Sequence, residues 1–343
     1  MSIELIISLV KANIVLAVLL TNTILLIWFE RKVVAGMQSR VGPDRAGPFG
    51  ILQTLADAIK LLLKEQILPS KADRAMYLLA PLIALVPSFL IFMIIPLGPD
   101  ITVEWQNALY TIPLVGADLN VGVLYFLALS SIAVYSVVLA GWSSGSKYPL
   151  LGGVRASAQM ISYEAAMGLA LVPVILYSGS LSLVDIVNSQ SGNLSSSIPI
   201  LNTIVSFIPK WNIFPQFVAF GIFFIAAVAE VNRAPFDLVE AEQELVGGFH
   251  TEYSGFRFAM FFLAEYINMF NMCAITATFF LGGWLGPTFE GILPPIFSVI
   301  MPIIWLGVKT FLLLFVFVWI RATLPRLRYD QLMELGWKRM IPL

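Results

Sequence analysis

One cysteine (Cys273) and one histidine (His250) make up the sequence's whole supply of thiol and imidazole ligands. A cysteine-ligated iron–sulfur cluster needs about four thiolates and a bis-histidine haem about two imidazoles. A structural zinc site takes about four Cys or His ligands. One chain of this composition builds none of them, nor can it close a disulfide within itself. Any electrons it handles must come from a partner. Charge is scarce too: Asp, Glu, Lys and Arg make up 12% of the 343 residues, about half of the ~25% usual in soluble domains. With 59% hydrophobic residues and a mean hydropathy of +0.87, the chain has more apolar surface than a soluble core can hide, but a bilayer can accept it. The net charge of -1 points to neither nucleic acid nor an acidic substrate.

A hydrocarbon core of ~30 Å takes about 20 apolar residues in helical conformation. Seven stretches qualify, at roughly 3–29, 75–97, 119–142, 156–177, 213–229, 258–281 and 296–320, the fifth only if the apolar run before it lengthens it. The first is too long and too weakly basic at its start for a cleavable signal peptide, and no small-residue cleavage site follows. It reads as a retained helix. With no fixed-period repeat and no internal boundary, residues 1–343 are expected to form one all-α domain, a polytopic transmembrane helix bundle of about seven spans.

Basic residues give the orientation. Loops 30–74, 143–155, 230–257 and 321–343 hold every one of the 20 lysines and arginines except Lys11, Lys210 and Lys309. The positive-inside rule then puts these four loops inside and the N-terminus outside. The Ser- and Asn-rich segment 178–212 and the Gly- and Pro-punctuated 282–295 lie outside and read as connectors.

Chemistry gathers in the inner loops. The first opens ERKVVAGMQSRVGPDRAGPFG (30–50), crowding Glu30, Arg31, Lys32 and Arg40 at the end of a span. In GILQTLADAIKLLLKEQI (50–67), Gln53, Asp57, Lys60 and Lys64 form one polar stripe opposite Leu52, Leu55, Ile59, Leu62 and Leu63. That is an amphipathic helix lying at the interface, too charged to span; a passive anchor fits the same pattern. In 141–164, Arg155, Gln159 and Ser162 share a helix face, with Glu164 on the opposite side. An acid at mid-membrane is ~2.5–3.5 kcal/mol uphill on insertion scales, so it faces protein or water. Either a structural carboxyl or a station on a proton path fits.

The third inner loop, EVNRAPFDLVEAEQELVGGFHTEYSG (230–255), sets Glu230, Asp237, Glu240, Glu242, Glu244 and Glu252 against Arg233 alone. Inner loops are normally basic, so this is a reversal. Crowded carboxylates repel one another, which suits proton uptake or charge coupling, although an exposed acidic loop would simply be solvated. Glu265 and Lys309 lie within spans. Together with Glu164 and Glu230 they suggest a polar route through the bundle. The last loop, WIRATLPRLRYDQLMELGWK (319–338), fits headgroup anchoring and partner docking equally well.

These segments resemble the family of H-type membrane subunits of respiratory complex I, the membrane subunits of its quinone site. ERKVVAGMQSRVGP, LQTLADAIKLLLKE, SKYPLLGGVRASAQMISYE, the acidic loop and WIRATLPRLRYDQLM all match its hallmark stretches, over about residues 28–342. The resemblance implies a membrane subunit of proton-translocating NADH:quinone oxidoreductase. Quinone would be its bound substrate, while NADH, flavin and iron–sulfur clusters sit on partners. Those partners would be the iron–sulfur and quinone-site peripheral subunits and the small and antiporter-like membrane subunits. By motif, Arg31, Arg40, Asp57, Arg233 and Asp237 would line or support the quinone tunnel. Glu164, Glu230, Glu240, Glu242, Glu244, Glu252 and Glu265 would serve the proton path. The setting would be a bacterial plasma membrane or an organellar energy-coupling membrane. Family members usually continue into a further hydrophobic helix, whereas this sequence ends at Leu343.

Other readings compete: the membrane subunit of a related energy-converting hydrogenase, a self-sufficient proton or cation transporter, and a passive anchor. The transporter would favour inverted repeats with paired broken helices, which are not evident. A passive anchor leaves the acids within the spans unexplained.

Overall fold

The structure, a computed structural model, describes residues 3–105, 108–193, 209–238, 246–287 and 296–343. Its helices are α1 (Ile3–Met37), α2 (Gln53–Leu63), α3 (Arg74–Met93), α4 (Gly122–Ser143), α5 (Lys147–Ser178), α6 (Leu183–Ser189), α7 (Phe217–Glu230), α8 (Gly255–Phe280), α9 (Ile296–Thr323) and α10 (Tyr329–Glu334). One antiparallel hairpin, β1 (Ile101–Trp105) with β2 (Ala108–Ile112), was not expected in an all-α chain.

Among the described residues, six helices (α1, α3, α4, α5, α8 and α9) are long and apolar enough to cross a membrane, and the protein is an integral membrane protein. The fifth expected span is shorter than the sequence suggests. Helix α7 has 14 residues, about 21 Å at 1.5 Å per residue, and residues 209–216 before it form a bridge and turns rather than more helix. Conversely, α1 runs on to Met37 and α5 starts at Lys147. Pro149 is tolerated there because the first helical turn needs no amide donor. Gly152 is needed where α5 meets the segment before α8: a Cβ on it would lie 2.8 Å from Gly248 Cα.

Successive spans alternate in direction. Asp73 N donates to Ser143 O (3.0 Å), joining the start of α3 to the end of α4, while Val123 N donates to Leu181 O (3.0 Å) at the other end. Asp73 also caps α3, accepting from Ala75 N (3.1 Å), a bond that satisfies one of the orphan amides of the first turn. Tyr163, Met167, Phe223, Phe279 and Phe280 lie fully buried in the core. Past α9 the chain folds back as a strap. Leu327 N donates to Pro235 O (3.1 Å), Arg326 pairs with Asp237 (3.0 Å), Tyr163 Oη donates to Leu332 O (2.9 Å), and Trp337 Nε1 donates to Ser162 Oγ (2.9 Å).

Lys309 does not join a polar route. Its ammonium donates to the carbonyls of Leu281 (2.6 Å), Gly283 (2.9 Å) and Leu285, with Trp211 stacked 4.3 Å away. Left-handed Gly282 (φ 71) and Gly283 (φ 50) turn these carbonyls inward, a conformation that L side chains resist. The cation thus caps the end of α8 remote from the basic loops. Hydrogen bonds from a charged donor contribute ~1.5–3 kcal/mol each, but the cost of burying the ammonium offsets much of the gain from the three, so Lys309→Met is expected to cost about 2–4 kcal/mol. The assembled complex should melt at a lower temperature in detergent, and an unchanged melting curve would show the cap to be dispensable.

Candidate functional site

At the end of the bundle that carries the basic loops, α1, the 38–43 loop, α2, the first turns of α8 and the end of α9 enclose a cleft of about 1100 Å³. Small-ligand pockets run ~300–1,000 Å³, so a molecule at the upper end of that range fits, against a largely apolar wall. Ile24, Ile27, Leu61, Met260 and Leu263 line it, and its polar groups are Glu30, Arg31, Arg40, Asp57 and Arg321, with Gln38 and the buried Thr54 beside them. Helix α2 presents three faces rather than the two expected. Lys60 and Lys64 continue the polar stripe, while Leu55, Ile59 and Leu63 stand exposed on a separate apolar side. Thr54, Asp57, Ala58 and Leu61 form the cleft wall. The Arg31–Asp57 pair (2.7 Å), steadied by Gln53 Nε2 donating to Asp57 Oδ1 (3.1 Å), ties α2 to α1. Both partners are partly exposed, and such pairs contribute only ~0–1 kcal/mol.

A second set of charges lies deeper. Arg233 Nε meets Glu265 Oε1 at 2.6 Å, Arg233 Nη1 meets Glu30 Oε1 at 3.4 Å, and Glu30 also pairs with Arg321. The Arg233 guanidinium stacks over Tyr266 at 4.4 Å. Glu265, Arg233, Glu30 and Arg321 therefore form an alternating chain of charges. Burying charge is costly unless it is paired, and removing one partner of a buried pair costs ~3–5 kcal/mol.

The Glu265 end of this chain borders a small cavity of about 70 Å³ with a mostly apolar wall, whose other polar lining residues are Glu230, Asn232, His250, Asn268 and Ser136. A cavity needs ~10–15 Å³ by this measure to admit one water, so this one has room for water. Glu230 Oε2 and Asn268 Oδ1 are buried with no hydrogen-bond partner among the described residues. Glu164 lies on α5 one turn beyond Met160, which lines the cavity, and its Oε1 accepts from Ser130 Oγ (3.2 Å) and Ser131 Oγ. Gln159 Nε2 donates to Ala229 O (2.9 Å), holding α5 to α7 beside them.

Of the residues expected around quinone, Arg31, Arg40 and Asp57 line the cleft. Arg233 does not line it but touches two residues that do, Glu30 and Tyr266, and Asp237, paired with Arg326, does not line it. Of the expected proton path, Glu230 and Glu265 share the cavity, and Glu164 sits beside it. Glu252 lines neither space; its backbone O accepts from Tyr77 Oη (2.8 Å). Glu240, Glu242 and Glu244 lie outside the described residues. Sequence reasoning missed the pairing of Glu30 with Arg321, and the cavity positions of His250 and Asn268.

Fold and site together define an integral membrane protein with an apolar-walled cleft joined by ion pairs to buried carboxylates. A family model described as NADH dehydrogenase matches residues 10–343. The second NADH-quinone oxidoreductase H subunit of Syntrophobacter fumaroxidans is 51% identical over 333 residues, covering 97% of this chain and 91% of that protein. The second H subunit of Koribacter versatilis is 48% identical over 347 residues (99% and 94%), and the H subunit of Frankia casuarinae 52% over 336 (97% and 69%). The chain belongs to the NADH dehydrogenase family, among the H subunits of NADH-quinone oxidoreductase.

Burial beside the Phe249 and Phe258 rings lowers the His250 pKa from 6.5 to about 4. The unfolded chain therefore takes up this proton first as pH falls. The stability His250 contributes is complete above about 6.5 and is lost towards about 4. His250→Gln should leave the shape of the quinone-reductase pH profile unchanged between about pH 6 and 8, while reducing the loss of thermal stability on acidification. A displaced inflection within that range would show that the imidazole titrates there.

Proposed function

We propose that this chain forms much of the quinone-access route of a proton-translocating NADH:quinone oxidoreductase and couples quinone reduction to proton transfer. The observation that carries the proposal is the charge chain Glu265–Arg233–Glu30–Arg321, which has one end on the large cleft and the other on the carboxylate cavity. Electrons come from partner subunits, because this sequence lacks the ligands to hold a cluster or haem. What its own residues supply is electrostatic.

Quinone reduction puts negative charge on ring oxygens before protons neutralise it. Arg31, Arg40 and Arg321 line the cleft and attract that charge. As Arg321 turns towards it, Glu30 is left short of a countercharge and draws on Arg233. Arg233 then loosens from Glu265. A carboxylate that loses its cation in a poorly solvated site binds a proton more readily, and water in the adjacent cavity delivers it. Glu230 and Glu164 continue the route away from the cleft. The related hydrogenase subunit and the autonomous transporter are set aside: the relatives are named as quinone oxidoreductase subunits, and an autonomous transporter has no need of the cleft.

Glu265→Gln keeps shape and hydrogen bonding but cannot titrate. The complex carrying it should assemble and reduce artificial acceptors with NADH at the parental rate, while quinone reduction falls at least about threefold and proton translocation falls with it. Parental quinone turnover and pumping in this variant would reject the coupling role.

The setting we propose is a bacterial plasma membrane with the basic loops inside. Lys147 and Ser191 are both exposed and lie at opposite ends of the bundle. In a Cys273→Ala background, Lys147→Cys should react with an impermeant thiol reagent only from the inside and Ser191→Cys only from the outside. Reaction of both from one side would overturn the topology.

A further inference from the structure

The cleft and the carboxylate cavity share a wall, and among the described residues Phe262 is the one residue that lines both. On α3, the neighbours Ala84 and Leu85 face the cavity and the cleft respectively. The wall is thin here. Phe262 is held in a ladder along one face of α8. Its ring lies 5.3 Å from Phe258 and 5.7 Å from Tyr266, at the i, i+4 spacing that brings helical side chains together. Both ends of the ladder are anchored. The His250 ring meets Phe258 edge-on at 5.7 Å, and the Arg233 guanidinium covers Tyr266.

The ion-pair chain crosses the same wall, but it cannot carry protons, because a guanidinium stays protonated in proteins. It transmits charge only. A continuous water path from cavity to cleft would let a proton taken up at Glu265 leak into the cleft instead of passing on to Glu230 and Glu164, undoing the coupling. An apolar ring at a narrow point blocks such a path because water leaves hydrophobic constrictions.

We propose that Phe262 is a hydrophobic partition between the quinone cleft and the carboxylate cavity. It lets charge be felt across α8 while keeping water and protons from crossing. This rests on the assignment of cleft and cavity under the proposed function, and it adds a residue whose contribution is exclusion rather than contact with a reacting atom.

The test uses whole complexes in proteoliposomes carrying Phe262→Leu, Phe262→Val or Phe262→Ala, with kcat, quinone KM and protons moved per electron pair measured on the same preparations. In the Ala complex, protons per electron pair should fall to about half or less, whatever kcat and quinone KM do at this cleft-lining position. Leu still fills the gap with apolar volume and should keep the parental ratio, with Val between. A parental ratio in the Ala complex overturns the partition, and so does equal loss in the Leu and Ala complexes. A raised KM with an unchanged ratio makes Phe262 an ordinary cleft wall. Should the Ala complex fail to assemble, Val decides by the same ratio. If neither assembles, Phe262 is a packing residue and the proposal falls. Glu265→Gln, run alongside, keeps the two readings apart: parental pumping there sinks the carboxylate assignment itself, whatever Phe262 does.

Discussion

Arg233 is 5% exposed, in a protein whose surroundings offer little water to solvate a cation. A guanidinium so placed must be paired, and the pairing recruits widely separated parts of the chain. Glu30 comes from α1, Glu265 from α8, and Arg321 joins from α9 by way of Glu30. One electrostatic requirement therefore fixes how these elements meet, and their meeting shapes one end of the cleft. The charges sum to zero along the chain, yet each interior member is shared between two neighbours. Strengthening one contact weakens the next, which is how a local change can be felt at a distance.

Helix α8 is the scaffold of this arrangement. Near its start it carries the aromatic ladder, Glu265 and Asn268, with the cleft on one side and the carboxylate cavity on the other. Its far end is held by Lys309, by Gln190 Nε2 donating to Thr278 O (3.0 Å) and by Asn212 Nδ2 donating to Phe279 O (2.8 Å). A helix fixed so firmly at one end confines adjustment to the other, where the charges sit.

Hydropathy made six of the spans legible because a bilayer demands long apolar helices. It overstated α7, whose composition is that of a span but whose chain turns before Phe217. The cleft residues Arg31, Arg40 and Asp57 could be anticipated from motif. Burial of their lining could not, because the third face of α2 depends on what lies across from it. Arg233 and Asp237 illustrate the limit: the acidic loop marks them, yet only tertiary structure shows that Arg233 pairs with Glu265 and Glu30, and Asp237 with Arg326. The pairing of Glu30 with Arg321 left no local signal, since both sit where span ends ordinarily carry charge. His250 was notable only for being alone, and nothing in its neighbours along the chain announced a cavity.

The strap that follows α9 has a consequence for biosynthesis. Asp237 waits 89 residues for Arg326, Tyr163 waits 169 for Leu332, and Glu30 waits 203 for Arg233 and longer still for Arg321. An insertion machinery that releases helices in order therefore hands the bilayer acids whose countercharges have not yet been translated. Until α9 is made, Glu30 lacks Arg321 and the ion chain stays open. The ion chain of this bundle is thus closed late in synthesis, by the arrival of α9.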